Sequence, residues 1–353
     1  MTVGALDDIR ILDFTTLLPG PLATAIFCQA GAEVIKIERP ITGDDLRHYP
    51  PFDAKGGLSF QYLNKGKKSL AIDLKETDIL DKLSPLIRQS QILIEQFRPG
   101  VMDRLGLGYD DVAKINPAIV YCSLSGHSPD GPNRLKAGHD LNYLADSGIL
   151  SLTGDAVGKP VIPPGLIADI GGGAYPAVMN ILLALRQSDR IGSGCYLPIS
   201  MTENLSPWMW WALAEIGADP SGPDTNGSLL SGGSARYQIY QTADNRYLAV
   251  AALEDKFWNR FCDLIQLPAD MRPKSVDGPY VIERTANILS NKNHDHWMTL
   301  FDGEDVCVSL IRTMAEASQF HDDGINLPVC EAVAGTRVLP PAPALGENNS
   351  LLD

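Results

Sequence analysis

The chain has 353 residues, 44% of them hydrophobic and 20% charged, with a formal net charge of −14. That composition can bury a large core and predicts two lobes, while the negative balance excludes the broad basic surface that non-specific binding to nucleic acid or an anionic membrane needs. Six cysteines without a C-x-x-C pair predict reduced, mostly packed thiols of a cytoplasmic protein rather than a disulfide framework or a metal centre, and neither a signal segment nor an apolar run of about 18 residues is expected.

In chain order, residues 9–14, 33–38, 69–74, 92–95 and 119–122 are β-rich runs and predict strands. Between them, 22–30 and 79–89 have helical period and predict covering helices, the second broken near Pro85. The alternation predicts an α/β fold with a doubly wound, Rossmann-like parallel sheet. The first strand leads into Thr15-Thr16-Leu17-Leu18-Pro19-Gly20-Pro21, which is no G-x-G-x-x-G turn, so the architecture implies neither nicotinamide nor flavin. Residues 174–186 predict a buried helix beginning just after Asp169. Residues 207–217 carry Trp208, Trp210 and Trp211 in an apolar helical run, more consistent with core or interface than with a ligand box, and 219–227 read as a turn-rich connector. Beyond it a hairpin turns at Ala243-Asp244-Asn245, and helices over 255–265, 281–289 and 296–302 complete a small α+β lobe. The predicted organisation is a large domain over 1–205 and 330–353, a linker over 206–228 and a small domain over 229–329.

Three ionisable groups stand out: His139 in Gly138-His139-Asp140-Leu141-Asn142-Tyr143, Asp169 in Ala168-Asp169-Ile170-Gly171-Gly172-Gly173, and Glu254 at the end of a strand-like apolar run. An imidazole and a carboxyl of matched basicity suit proton transfer at carbon. Taken singly, a loop histidine is usually structural and an aspartate before a helix usually a cap. His127 reads as a turn residue packing a pocket, and His294 with His296 is weak evidence for metal.

Ordered blocks along nearly the whole chain, among them Leu12-Asp13-Phe14, Ala32-Glu33-Val34-Ile35-Lys36-Ile37-Glu38-Arg39-Pro40, Asn64-Lys65-Gly66-Lys67-Lys68-Ser69, Phe97-Arg98-Pro99-Gly100-Val101-Met102 and the segments around His139, Asp169 and Glu254, resemble the CoA-transferase III (CaiB/BaiF) superfamily, which also contains α-methylacyl-CoA racemases. The resemblance implies an interlocked homodimer whose active site lies between the large lobe of one subunit and the small lobe of the other. It also implies an acyl-CoA substrate whose CoA moiety is the only coenzyme needed. Arg39 would meet the nucleotide end of CoA, Ile72, Asp73, Leu74 and Lys75 would line its adenine and phosphate site, and Arg104 is a further phosphate candidate. Lys65, Lys67 and Lys68 would add a local positive field that the overall charge does not provide.

Within the family's two chemistries, transferases use the residue matching Asp169 as a nucleophile and commonly carry Tyr at the position of His139. Racemases pair His with Asp, followed by Asp140, Asn142 and Tyr143 as here, and Gly138 to Tyr143 would form part of the binding loop. The racemase pattern implies His139 and Asp169 on opposite faces of the α-carbon, with Glu254 orienting the imidazole. Asp169 would need a raised pKa, and the amides of Gly171, Gly172 and Gly173 would hold the enolate oxygen. CoA transfer between carboxylic acids and CoA-thioester binding without catalysis are the rival readings. The sequence departs from the racemase pattern at Ser231-Gly232-Gly233-Ser234-Ala235-Arg236 and at Pro198.

Overall fold

The computed structural model describes residues 4–155, 157–320, 326–336 and 338–352. The chain divides into two compact units, one comprising Met1–Ser147, Pro163–Trp208 and Asp323–Asp353, the other Gly148–Ile162 and Met209–Asp322.

In the first unit the strands are β1 (Arg10–Phe14), β2 (Glu33–Glu38), the short pair β3 (Phe52–Asp53) and β4 (Gly56–Gly57), β5 (Lys68–Ala71), β6 (Ile92–Glu95), β7 (Val120–Ser125) and β8 (Cys195–Ser200). Six of them form a wholly parallel sheet in the order β5-β2-β1-β6-β7-β8. The helices are α1 (Pro19–Gln29), α2 (Leu58–Asn64), α3 (Ile79–Arg88), α4 (Val101–Arg104), α5 (Tyr109–Ile115), α6 (Asp140–Ser147) and α7 (Tyr175–Ile191). Neighbouring strand residues point to opposite faces, and both faces are buried. Ile11, Val34, Ile94 and Cys122 pack with Phe27 of α1, Phe60 of α2 and Ile181 of α7, while Leu12, Ile35, Leu93 and Tyr121 pack with Leu83 and Ile87 of α3 and Val112 of α5. Burial on both sides is what makes these strands near-continuous apolar runs.

Helix α3 runs through Pro85 without a break, contrary to the expected interruption. Its apolar stripe of Ile79, Leu83, Leu86 and Ile87 is buried on the sheet, and that packing outweighs the single hydrogen bond the proline removes. The helix expected to begin after Asp169 begins before it: a π-helical turn, Ala168–Ala174, runs straight into α7, with the Tyr175 N–H bonded to the Ile170 carbonyl. The resulting Ala168–Ile191 stretch is 24 residues long with a mean hydropathy of 1.3 in its most apolar window, enough by length and composition to cross a membrane and more apolar than the sequence reading expected. Ala177, Ile181 and Ala184 bury one side of it in the core, as in a core helix of a globular domain.

In the second unit α8 (Trp210–Ala218) precedes β9 (Tyr237–Gln241) and β10 (Tyr247–Ala251), the expected hairpin, and β11 (Val308–Leu310) adds antiparallel to β10. Helices α9 (Asp255–Ile265), α10 (Pro279–Leu289) and α11 (His294–Phe301) close over Tyr240, Leu248 and Val250 with Trp258, Phe261 and Trp297, and a short α12 (Met314–Ala317) follows. Residues 148–162 group with this unit rather than with the large lobe in which the sequence reading left them. The reason is local pairing: the Gly154 N–H donates to Asn226 Oδ1 at 2.9 Å, Asn226 Nδ2 donates to the Gly154 carbonyl at 3.0 Å, and the Asn226 N–H donates to the Leu152 carbonyl at 3.1 Å.

Candidate active site

The direction in which successive strands are added reverses in the large sheet between β1 and β6, because β2 and β5 lie to one side and β7 and β8 to the other. In an open parallel sheet the crevice beyond the carboxyl ends at such a switch point is where ligands bind. The segments leaving those ends do line one cavity of about 300 Å³: Leu17 after β1, Gln96 and Phe97 after β6, His127 after β7 and Met201 after β8. His139, Asp169 and Tyr143 face the same cavity, with Arg98, Arg134 and Lys136 giving it a cationic wall.

A second cavity of about 390 Å³ adjoins it and is lined by Leu17, Leu18, Leu46, Leu63 and Leu166 with Tyr49, Tyr62 and Ser59. Its only charged or titratable lining groups besides tyrosine are His139, Asp140 and Asp169. His139 and Asp169 thus open onto both spaces.

His139 is placed by the first turn of α6. Its N–H donates to Asn142 Oδ1 at 3.1 Å, and its carbonyl accepts the N–H of Asn142 at 2.8 Å and of Tyr143 at 3.2 Å, so Asn142 works as a helix cap and not as a ligand contact. The Tyr143 hydroxyl donates to the Gly138 carbonyl at 2.5 Å, and its ring lies so close to the backbone that a side chain at Gly126 would sit 2.4 Å from it. Asp140 accepts the Asp169 N–H at 2.9 Å, tying the π-helical turn to α6. Burial, reinforced by the like charge of Asp140, pushes the Asp169 carboxyl up to about 7. An acid that gains and loses its proton near neutrality therefore shares a cavity with an imidazole. A proton can be taken at one and supplied at the other.

A third cavity, of about 600 Å³, lies beyond the ends of β1, β2 and β5 and is lined by Arg39, Ile72, Asp73, Leu74 and Lys75. Arg104 is not among its lining residues, although Val101 and Leu105 on either side are.

The model of CoA-transferase family III matches residues 6–349. The chain belongs to CoA-transferase family III. Among curated family III proteins it is 32% identical to the α-methylacyl-CoA racemase of Mus musculus, over 96% of this chain and 90% of the relative. It is equally 32% identical to the acetyl-CoA:oxalate CoA-transferase of Acetobacter aceti, over 89% of this chain and 82% of the relative. A solved structure of a hypothetical protein from Mycobacterium tuberculosis superposes with a TM-score of 0.84 at 25% identity, covering 100% of both chains. A CaiB/BaiF family protein from Brucella suis shares the fold at a TM-score of 0.83 and 24% identity, covering 99% of this chain and 100% of that one.

Several family III expectations are corrected by the geometry. Lys67 is no surface cation: it is wholly buried, with its ammonium on Asp13, the Thr24 hydroxyl and the Pro21 carbonyl. Lys68 pairs with Glu33, so of the three lysines only Lys65 is exposed. The run Gly171, Gly172 and Gly173 is not an amide nest at a helix start. It lies inside the π-helical turn, where a Cβ on Gly172 would meet the Met201 carbonyl at 2.1 Å and one on Gly171 would meet the Trp208 ring at 2.3 Å. These glycines allow close packing, and their N–H groups are helical. His294 is held by Asp244, and no group of three or more possible metal ligands occurs among the described residues.

Glu254 belongs to the second unit. It occupies the N-cap of α9, where its carbonyl accepts the N–H of Phe257 and Trp258 while its side chain makes no cap hydrogen bond. Arg236, where the racemase pattern has phenylalanine, is 3% exposed and bonds the residues on either side of Glu254, the Leu253 carbonyl at 3.2 Å and the Asp255 carboxylate at 2.6 Å. Sequence reasoning missed Leu17, Gln96 and the Leu46–Tyr62 wall. Their signal is positional, since Leu17 and Gln96 directly follow strands at the switch point.

Proposed function

We propose that the chain racemises or epimerises 2-methyl-branched acyl-CoA thioesters through an enolate. Two observations in one site support this reading: His139 and Asp169 border both a cationic and an apolar cavity, and Asp169 titrates near 7. The polar space suits the CoA arm, the apolar one the acyl group, and their junction the thioester α-carbon. Neutral His139 would remove the α-proton from one face while protonated Asp169 delivers its proton to the other, leaving an imidazolium and a carboxylate that re-equilibrate with solvent. The return reaction exchanges the roles. The step is redox-neutral and, in this reading, needs no coenzyme beyond the CoA carried by the substrate. Glu254 of the partner subunit would orient the imidazole in an interlocked homodimer.

CoA transfer is the second reading, favoured by the transferase relative and by Asp169 as a possible nucleophile. Two features weigh against it. A carboxyl with a pKa near 7 is half protonated at neutrality and to that extent non-nucleophilic, and the apolar cavity offers no lysine or arginine to a dicarboxylic acceptor. Incubating the protein with a single enantiomer of a 2-methylacyl-CoA in D2O decides between them. Deuterium at the α-carbon with loss of optical activity, and no acceptor acid added, is the expected result. In a parallel incubation with a carboxylic acid acceptor, CoA appearing on that acid, with hydroxylamine trapping at Asp169, would overturn it.

A further inference from the structure

Leu17, His139 and Asp169 are the three residues that line both the cationic and the apolar cavity. Next to Leu17 the chain passes from one space to the other, since Leu18 lines only the apolar cavity and Pro19 only the cationic one. Leu17 also has φ of +62°, a left-handed conformation that a leucine adopts only under constraint. The constraint is visible at three successive residues. The Thr15 carbonyl accepts from Lys36 Nζ at 2.7 Å, the Thr16 carbonyl from Gln96 Nε2 at 3.1 Å, and the Leu17 N–H donates to Asp44 Oδ1 at 3.1 Å. Lys36 and Asp44 are themselves an ion pair at 2.9 Å with both side chains fully buried. A strained residue pinned by a buried ion pair beside two acid–base groups is where backbone strain serves a function.

We propose that Leu17 is the specificity-determining partition between the two cavities, held by the Lys36–Asp44 pair, and that its side chain limits the bulk of the acyl group that can extend past His139 and Asp169. This rests on the apolar cavity being the acyl site, as in the proposed reaction. The partition itself can be tested without turnover, using S-alkyl-CoA thioethers, which lack the thioester carbonyl and so cannot form the enolate.

Glycine adopts φ of +62° freely, so Leu17→Gly keeps the backbone and removes only the wall. Calorimetric titration of wild type and variant with CoA, S-methyl-CoA and a bulky branched S-alkyl-CoA is the experiment. The expected result is a shift of ~10-fold in the affinity ratio toward the bulky thioether, the size of effect that a single methylene can give in an apolar pocket. An unchanged ratio, or equal weakening of all three ligands, would overturn the proposal. Deuterium exchange by the wild type is read separately. If it is absent while the ratio shifts, the reaction assignment fails and the partition stands.

Discussion

Asp169 couples chemistry to stability through one proton. Its carboxyl is raised from 3.8 to about 7, first by burial and then by Asp140, so between those values the folded chain keeps a proton that the unfolded chain has lost. Stability contributed by this group is therefore full below about pH 4 and falls as pH rises toward 7. Asp169→Asn removes the titration without changing size. The difference in melting temperature between Asp169→Asn and wild type should grow in the variant's favour from pH 5 to pH 8, and a difference independent of pH would refute the raised pKa. The same variant should lose roughly 10²- to 10⁴-fold in α-deuterium exchange, as expected when one of two acid–base groups is removed. His139→Gln should lose a similar factor while retaining calorimetric binding of CoA, because the asparagine cap of α6 holds the backbone and does not involve the imidazole.

Among the elements, legibility followed burial. The parallel sheet could be read from sequence because strands buried on both faces, such as Ile92–Glu95 with its Ile-Leu-Ile run, are short stretches rich in apolar and β-branched residues. The hairpin of β9 and β10 could be read from the Asp244-Asn245 turn, at which Asn245 takes φ of +59°. The π-helical turn could not, because it depends on Gly172 meeting the Met201 carbonyl after β8, a contact between segments distant in sequence. Nor could the fate of Lys67, since a basic motif reads as a cationic surface until the fold shows Asp13 buried beside it, or that of Lys36 in β2, whose partner Asp44 lies beyond the strand. That burial carries a stability prediction of its own. Lys36→Met strands the Asp44 carboxylate without its partner inside the protein, and removing one half of a buried pair typically costs about 3–5 kcal/mol. Urea unfolding should show a loss of that order, whereas a loss below 1 kcal/mol would mean that the pair is solvated and the Leu17 loop is not clamped.

At the level of the whole molecule, the two units carry different parts of the proposed chemistry: His139 and Asp169 lie in one and Glu254 in the other. Apolar side chains also remain uncovered on the single chain, with Met179 61%, Leu183 67% and Ile191 60% exposed on α7, and Ile239 57% exposed on β9. Met179 and Leu183 stand one turn apart on α7, and contiguous exposed apolar surface marks surfaces that associate. If the site is completed across a homodimer, light scattering should give twice the 38.2 kDa chain mass, and Leu183→Glu should shift it toward the single chain. A stricter check uses hybrids of His139→Gln and Glu254→Gln chains, each inactive alone. In a two-fold dimer with shared sites, one site of the hybrid collects both substitutions and the other none; since random pairing of equal amounts makes about half of the dimers hybrids, about a quarter of the wild-type exchange should return on mixing and refolding. If His139 and Glu254 of the same chain act together, every site of the hybrid carries one defect and no exchange returns.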